Sequence, residues 1–239
     1  HNLGVIPLKK TLLTLAGATV LSMSAQAEQF WADNSVSVLQ GSDYEFTDTK
    51  VTTTTLEHVS GHSWGGVFLF VDRHNSANHN ETYAEVSPKF TLAKMDGIVS
   101  SINAAFTYEY GAIDNQFFSA SFDNYLYGVG ADLKIPGLNF ASATFYRAFN
   151  EGDDDNQITL TYGFSSGNFN IDGYVDYAFD NDSSEDNLHI NPQFTYNVGP
   201  MIGTSNKVKL GFEYSNWSNQ FGIDGQNQDA FSLILKAHL

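Results

Sequence analysis

Residues 187–198 read Asn187-Leu188-His189-Ile190-Asn191-Pro192-Gln193-Phe194-Thr195-Tyr196-Asn197-Val198, and their alternation decides the fold. Leu188, Ile190, Pro192, Phe194, Tyr196 and Val198 share one face of an extended chain, and Asn187, His189, Asn191, Gln193, Thr195 and Asn197 share the other. A period of two with one apolar and one polar side is that of a β-strand between two unlike environments.

The same division recurs outward from this stretch. At 169–179, Phe169, Ile171, Val175, Tyr177 and Phe179 oppose Asn170, Asp172, Tyr174 and Asp176; near the end, Phe231, Leu233, Leu235, Ala237 and Leu239 oppose Ser232, Ile234, Lys236 and His238. Reading the whole chain this way predicts twelve strands: 34–40, 50–59, 64–73, 82–94, 98–110, 123–135, 138–149, 157–165, 169–179, 187–198, 207–217 and 229–239. No helix-period segment competes with them.

A soluble sandwich produces such alternation too, but the connections separate the two folds. Ser60 to Ser63, Met95 to Gly97, Pro136-Gly137 and Ser165 to Asn168 are tight, whereas 41–49, 74–81, 111–122, 150–156, 180–186 and 218–228 are longer. Short turns on one rim and longer loops on the other predict an all-β fold, a twelve-stranded antiparallel transmembrane β-barrel with short periplasmic turns and longer extracellular loops. The Gly199 to Asn206 turn is long for the periplasmic side. Tyr108, Tyr110, Tyr125, Tyr127, Tyr146, Tyr162, Phe164, Tyr177, Phe179 and Tyr214 collect on the apolar face near strand ends, where aromatic girdles meet the membrane interfaces.

Composition fits a barrel that crosses a bilayer by alternation. The 239 residues contain no cysteine, so neither disulfides nor thiolate metal sites are available. Mean hydropathy is −0.24 although 14% of the residues are aromatic. Lys9 and Lys10, an apolar run from Leu12 to Leu21, and Ala25-Gln26-Ala27 have the three parts of a secretory signal, which predicts a signal peptide at 1–27 and a barrel domain at 28–239. Cleavage before Glu28 removes Lys9 and Lys10 and no acid, so the 11 basic residues fall to 9 against 27 acidic ones and the formal charge moves from −16 to −18. Such a balance disfavours nucleic-acid binding.

With the polar parity inward, the outer half of the lumen is predicted to carry Phe70, Asp72, Tyr83, Glu85, Glu109, Phe145, Arg147, Tyr174, Asp176, His189, Asn191 and Glu213. Arg147 and Lys89 are then placed to neutralise Glu85, Asp172 or Glu213. Twelve strands enclose more room than the eight that side chains fill, so a narrow channel is expected. Its lining suits a solute with a flat apolar ring and several hydroxyls, such as a nucleoside: rings stack on Phe and Tyr, and carboxylates accept hydroxyl protons. Phosphorylated nucleotides suit it poorly, since the acidic wall repels them.

Other motifs carry less. His58, His62, His74, His79 and His189 lack the spacing of metal ligands, Asp153-Asp154-Asp155 lacks the glycine and terminal glutamate of a calcium loop, and Gly128-Val129-Gly130 opens no helix. No nucleophile-elbow sequence supports an enzyme, and neither a cofactor nor a metal is expected.

Several segments together resemble the Tsx family of nucleoside-specific outer-membrane channels, and especially its OmpK-like, nucleoside-binding branch. They are Trp31-Ala32-Asp33-Asn34-Ser35, Leu56-Glu57-His58, Phe70-Val71-Asp72, Tyr83-Ala84-Glu85-Val86-Ser87-Pro88-Lys89, Ile135-Pro136-Gly137, Phe145-Tyr146-Arg147, Asp172-Gly173-Tyr174-Val175-Asp176, Asn187 to Gln193, and Gly211-Phe212-Glu213-Tyr214. The resemblance implies a monomeric barrel in the outer membrane of a Gram-negative bacterium, in contact with outer-membrane lipid and lipopolysaccharide and passing nucleosides and deoxynucleosides passively. In several members the outer loops also serve as a receptor for a bacteriophage or colicin. The alternative expectation is therefore a surface-interaction protein that displays loops 111–122, 150–156 and 218–228.

Overall fold

The computed structural model describes residues 28–45, 50–115 and 119–239, so the expected signal at 1–27 lies outside the described residues. The strands are β1 (Gln29–Ser42), β2 (Lys50–His62), β3 (Gly65–Asn75), β4 (His79–Lys94), β5 (Val99–Asn115), β6 (Ser119–Leu133), β7 (Phe140–Phe149), β8 (Asp155–Ser166), β9 (Phe169–Phe179), β10 (Asn187–Asn197), β11 (Val208–Ser218) and β12 (Gln228–His238). Each pairs antiparallel with its neighbour in sequence, and β1 pairs with β12, closing a twelve-stranded barrel.

The ladder fixes which side chains share a face. At the seam Leu39 lies opposite Ile234, each 2% exposed, while the next pair, Val38 and Leu235, is 45% and 47% exposed. One parity therefore fills the interior and the other forms an apolar outer wall. Along β12 the interior parity is Gln228, Ala230, Ser232, Ile234 and Lys236, all buried, and the outer is Phe231, Leu233 and Leu235. Pro88 and Pro192 sit on the outer parity of β4 and β10, and the ladder skips beside each because proline has no N–H to give.

The loops differ from expectation at two places. The segments 74–81 and 111–122 are mostly strand, since β3 runs to Asn75, β4 begins at His79, β5 runs to Asn115 and β6 begins at Ser119. β4, β5 and β6 have 16, 17 and 15 residues, against the roughly 9 to 11 that cross a bilayer, so this side of the barrel rises above the membrane as sheet. Their alternation weakens where both faces meet water, which is why periodicity ended the strands early. The contrast between rims is correspondingly smaller, and the connection at 198–207, which holds a 3-10 helix at Gly199–Ile202, is long on the short-turn rim.

Close strand approach makes some glycines indispensable. A Cβ on Gly211 of β11 would strike the carbonyl oxygen of Phe194 on β10, which is backbone and cannot move aside. Gly211→Val is expected to cost about 3 kcal/mol as overpacking and to reduce the folded fraction on heat-modifiable gel mobility. Gly152→Val, where no atom lies within 4 Å of the new Cβ, should leave it unchanged.

Candidate functional site in the barrel lumen

In a ring of twelve strands β4 and β10 stand diametrically opposite. This topology sorts most of the expected lumen residues into two facing walls. The first wall holds Phe70 and Asp72 on β3, Tyr83 and Glu85 on β4, and Glu109 on β5, tied by the pairs Phe70↔Glu85, Asp72↔Tyr83 and Glu85↔Glu109. The second holds Tyr174 and Asp176 on β9, His189 and Asn191 on β10, and Glu213 on β11, with Asp176↔His189 and Tyr174↔Asn191 in register. Glu85 of one wall bears electrostatically on Asp176 of the other.

Each carboxylate is held by a neutral donor. Tyr83 donates its hydroxyl to Glu85 Oε1 at 2.8 Å, Asn124 Nδ2 donates to Glu109 at 3.0 Å, Thr159 Oγ1 donates to Asp176 Oδ1 at 2.6 Å, and Gln193 Nε2 donates to Glu213 at 2.8 Å. Thr55 Oγ1 donates to Asp72. Rings stand beside them: Phe70 and Tyr83 have centroids 5.7 Å apart, and His189 stacks on Trp217 at 4.0 Å while meeting Tyr174 edge-on at 5.2 Å. The arrangement offers carboxylate acceptors and aromatic faces on both sides of one passage.

Phe145 and Arg147 require correction. Both lie on the outer parity of β7: Phe145 is 49% exposed and pairs with outward Val129 and Ile158, and Arg147 pairs with outward Tyr127. The side chain that enters the lumen is the intervening Tyr146, 8% exposed and within 3.5 Å of the Thr107 hydroxyl, so Tyr146 also leaves the aromatic girdle to which its spacing assigned it. The sequence Ala143-Thr144-Phe145-Tyr146-Arg147-Ala148 puts a charge on the apolar parity, and the charge misled the reading of the strand. Arg147 lies two residues from the strand's end, where a long cationic side chain reaches polar surroundings from an apolar wall.

Arg147 is therefore no counter-ion for the lumen, and Lys89 pairs with Asp132 at 2.6 Å rather than with Glu85, Asp172 or Glu213. Among the described residues the inward lysines are Lys89, Lys209 and Lys236, all in the half nearer the rim where β1 begins and β12 ends. Lys236 pairs with Glu57 at 3.1 Å and reaches Gln193 Oε1 at 3.5 Å. Among the described residues the lumen is thus polarised along its axis, with carboxylates held by neutral donors in the outer half and lysines in the inner half.

Several participants were absent from the expected list. Thr55, Gln157, Thr159, Gln193 and Ser215 share the inward parity of their strands and were legible as partners, and so was Trp217. Tyr44, which follows β1, has no signal of this kind because a connection has no parity.

A closed antiparallel barrel with an apolar outer wall and a polar, charged lumen is a porin-like outer-membrane channel fold. The chain belongs to the family described as "Domain of unknown function (DUF5020)", which matches residues 25–236. No curated protein matches it. Among solved structures it is similar to "KdgM porin", at 15% identity and a TM-score of 0.52 over 85% of this chain and 98% of that one. It is similar also to "KdgM porin in complex with disordered oligogalacturonate", at 15% identity and 0.51 over 85% and 98%. A weaker likeness, at 8% identity and 0.44 over 96% of each chain, is to the translocator domain of autotransporter NalP from Neisseria meningitidis.

Proposed function

We propose that the chain is a monomeric outer-membrane channel for passive uptake of nucleosides and deoxynucleosides, made with a signal peptide at 1–27 that is removed before the barrel forms. The observation that carries this reading is the pair of facing walls, each joining aromatic rings to carboxylates that are held by neutral donors. A base slides along Phe70, Tyr83 and Tyr174, each stacking contact worth roughly 1 to 3 kcal/mol by analogy with single-stranded nucleic-acid sites. Ribose hydroxyls donate to Asp72, Glu85, Asp176 and Glu213. Binding stays weak enough for release, and the gradient alone drives transport, without a cofactor. The similarity to the Tsx family supports the same solute class. An oligogalacturonate, which one similar porin holds, is a polyanion and would meet five carboxylates here, so the acidic walls favour a neutral solute instead.

Planar-bilayer conductance with and without adenosine tests the proposal. Adenosine should block the wild-type channel at sub-millimolar concentration, and Phe70→Ala combined with Asp176→Ala should weaken that block without preventing barrel formation. A wild-type channel indifferent to nucleosides would overturn the solute assignment; unchanged block in the double variant would overturn the residues.

A further inference from the structure

The connection after β1 does not lead away from the pore. Asp43 takes a left-handed φ of 67°, its carboxylate accepts a hydrogen bond from Ser42 Oγ at 2.8 Å, and the turn sends Tyr44 back into the barrel. A non-glycine residue in this region costs of order 1 kcal/mol, so contacts further along must hold it there.

Two hydrogen bonds to β12 do so. The Tyr44 hydroxyl lies 2.8 Å from Ser232 Oγ, on an inward residue of β12 that is 2% exposed, and the Glu45 N–H donates to Gln228 Oε1 at 3.2 Å. Gly41 makes the room: a Cβ there would strike Ser232 Oγ first and stand 2.6 Å from Cε2 of the tyrosine ring, so it would crowd both partners of that contact. Burial pushes the Tyr44 phenol up to about 12, with Glu213 and Asp72 adding to the effect, so the hydroxyl stays protonated at neutral pH. These two acids belong to opposite walls, and both bear on the phenol.

The arm is also joined to the second wall. Gln228, whose carbonyl is taken by the Glu45 N–H, turns its Nε2 to Ser215 Oγ at 3.0 Å; Ser215 Oγ is 2.9 Å from His189 Nε2, and His189 Nδ1 is 3.3 Å from the Tyr174 hydroxyl. Seating the arm therefore fixes the amide orientation of Gln228 and, through it, the hydrogen bonding of Ser215 and His189.

We propose that Tyr44 is a specificity-determining residue that acts as a tethered plug, its hydroxylated ring standing where a ring-bearing, hydroxyl-bearing solute would bind and yielding to such a solute by exchange of like contacts. A solute without a ring cannot replace what the phenol gives up, so the plug selects as well as obstructs. The competition rests on the nucleoside reading given above, whereas the obstruction does not.

The test uses the full barrel as wild type, Tyr44→Ala, Tyr44→Phe and Gly41→Ala, each shown to be folded by heat-modifiable gel mobility. Single-channel conductance without solute should rise roughly twofold in Tyr44→Ala, where the lumen loses a ring, and in Gly41→Ala, where the new methyl crowds both Ser232 and the ring and breaks the contact that seats it. Tyr44→Phe keeps the ring but loses the Ser232 hydrogen bond, and should flicker between the two levels. Should Tyr44→Ala not fold, Gly41→Ala and Tyr44→Phe carry the test. Wild-type conductance in every folded variant overturns the plug. The half-blocking concentration of adenosine should fall severalfold in Tyr44→Ala; a rise in conductance with that concentration unchanged overturns the competition. If conductance rises while adenosine blocks no form, including wild type, the obstruction stands and the nucleoside reading falls.

Discussion

Exchanging Glu57 for alanine should destabilise the folded barrel by about 3 to 5 kcal/mol, the cost of leaving a buried charge without its partner. Lys236 is 5% exposed, and among the described residues its ammonium has Glu57 at 3.1 Å as the one carboxylate in ion-pair reach and Gln193 Oε1 at 3.5 Å as a marginal second acceptor. Taking Glu57 away leaves that ammonium in a site that water reaches poorly. The reverse change should be milder: Lys236→Met keeps the apolar stem, and Glu57, whose side chain is 27% exposed, keeps a contact with Ser35 at 3.4 Å. Urea unfolding in lipid vesicles, followed by tryptophan fluorescence, should therefore order the variants as Glu57→Ala well below Lys236→Met, with the double variant recovering most of the loss. Equal losses in the two single variants would show that the pair does not hold the inner lumen.

Replacing Glu85, Glu109 and Asp176 together by their amides should abolish the channel's preference for cations. The unmodified lumen is expected to pass potassium over chloride by roughly tenfold, because carboxylates on opposite walls focus their field across a low-dielectric passage. Amides keep the size and most of the hydrogen bonding, so Asn124, Thr159 and Tyr83 still have partners and the walls keep their shape. The reversal potential in a potassium chloride gradient should then move close to zero. Asp123→Asn serves as the control, because Asp123 points outward on β6 and accepts from Tyr125 at 2.9 Å on the barrel's exterior. A shift as large in that control as in the triple variant would place the selectivity filter elsewhere.

How much of this was legible in the sequence depended on whether one residue's environment or several were needed. Strand number and most boundaries follow from alternation alone, since lipid on one side and lumen on the other impose a period of two on each strand separately. Asn187 to Asn197 lies in the structure as its pattern implies, with His189, Asn191 and Thr195 buried inside and Tyr196 exposed outside, while Val198 already turns into the 3-10 helix that follows. β7 failed because Arg147 placed a charge on the lipid parity near an interface, where snorkelling removes the cost that the reading assumed. Loop lengths failed where β5 and β6 continue as sheet beyond the bilayer. The facing of Glu85 and Asp176 was illegible strand by strand, and it follows only once the ring closes and sets β4 against β10. Tyr44 was beyond reach because its placement depends on a left-handed turn at Asp43 and a gap at Gly41.

The seam between the first and last strands has a consequence for the order of events in assembly. Its register runs from Ser35↔His238 to Ser42↔Phe231, joining partners separated by nearly the whole chain, so closure carries the largest loop entropy of any strand pairing here. Until it forms, β1 and the growing sheet both present unpaired edges. The same strand that removes those edges brings Lys236 to Glu57 and Ser232 to Tyr44. A nascent barrel lacking β12 would thus have neither its internal brace nor its stopper. Both form in the step that makes the sheet continuous, so closing the seam and furnishing the lumen are one event.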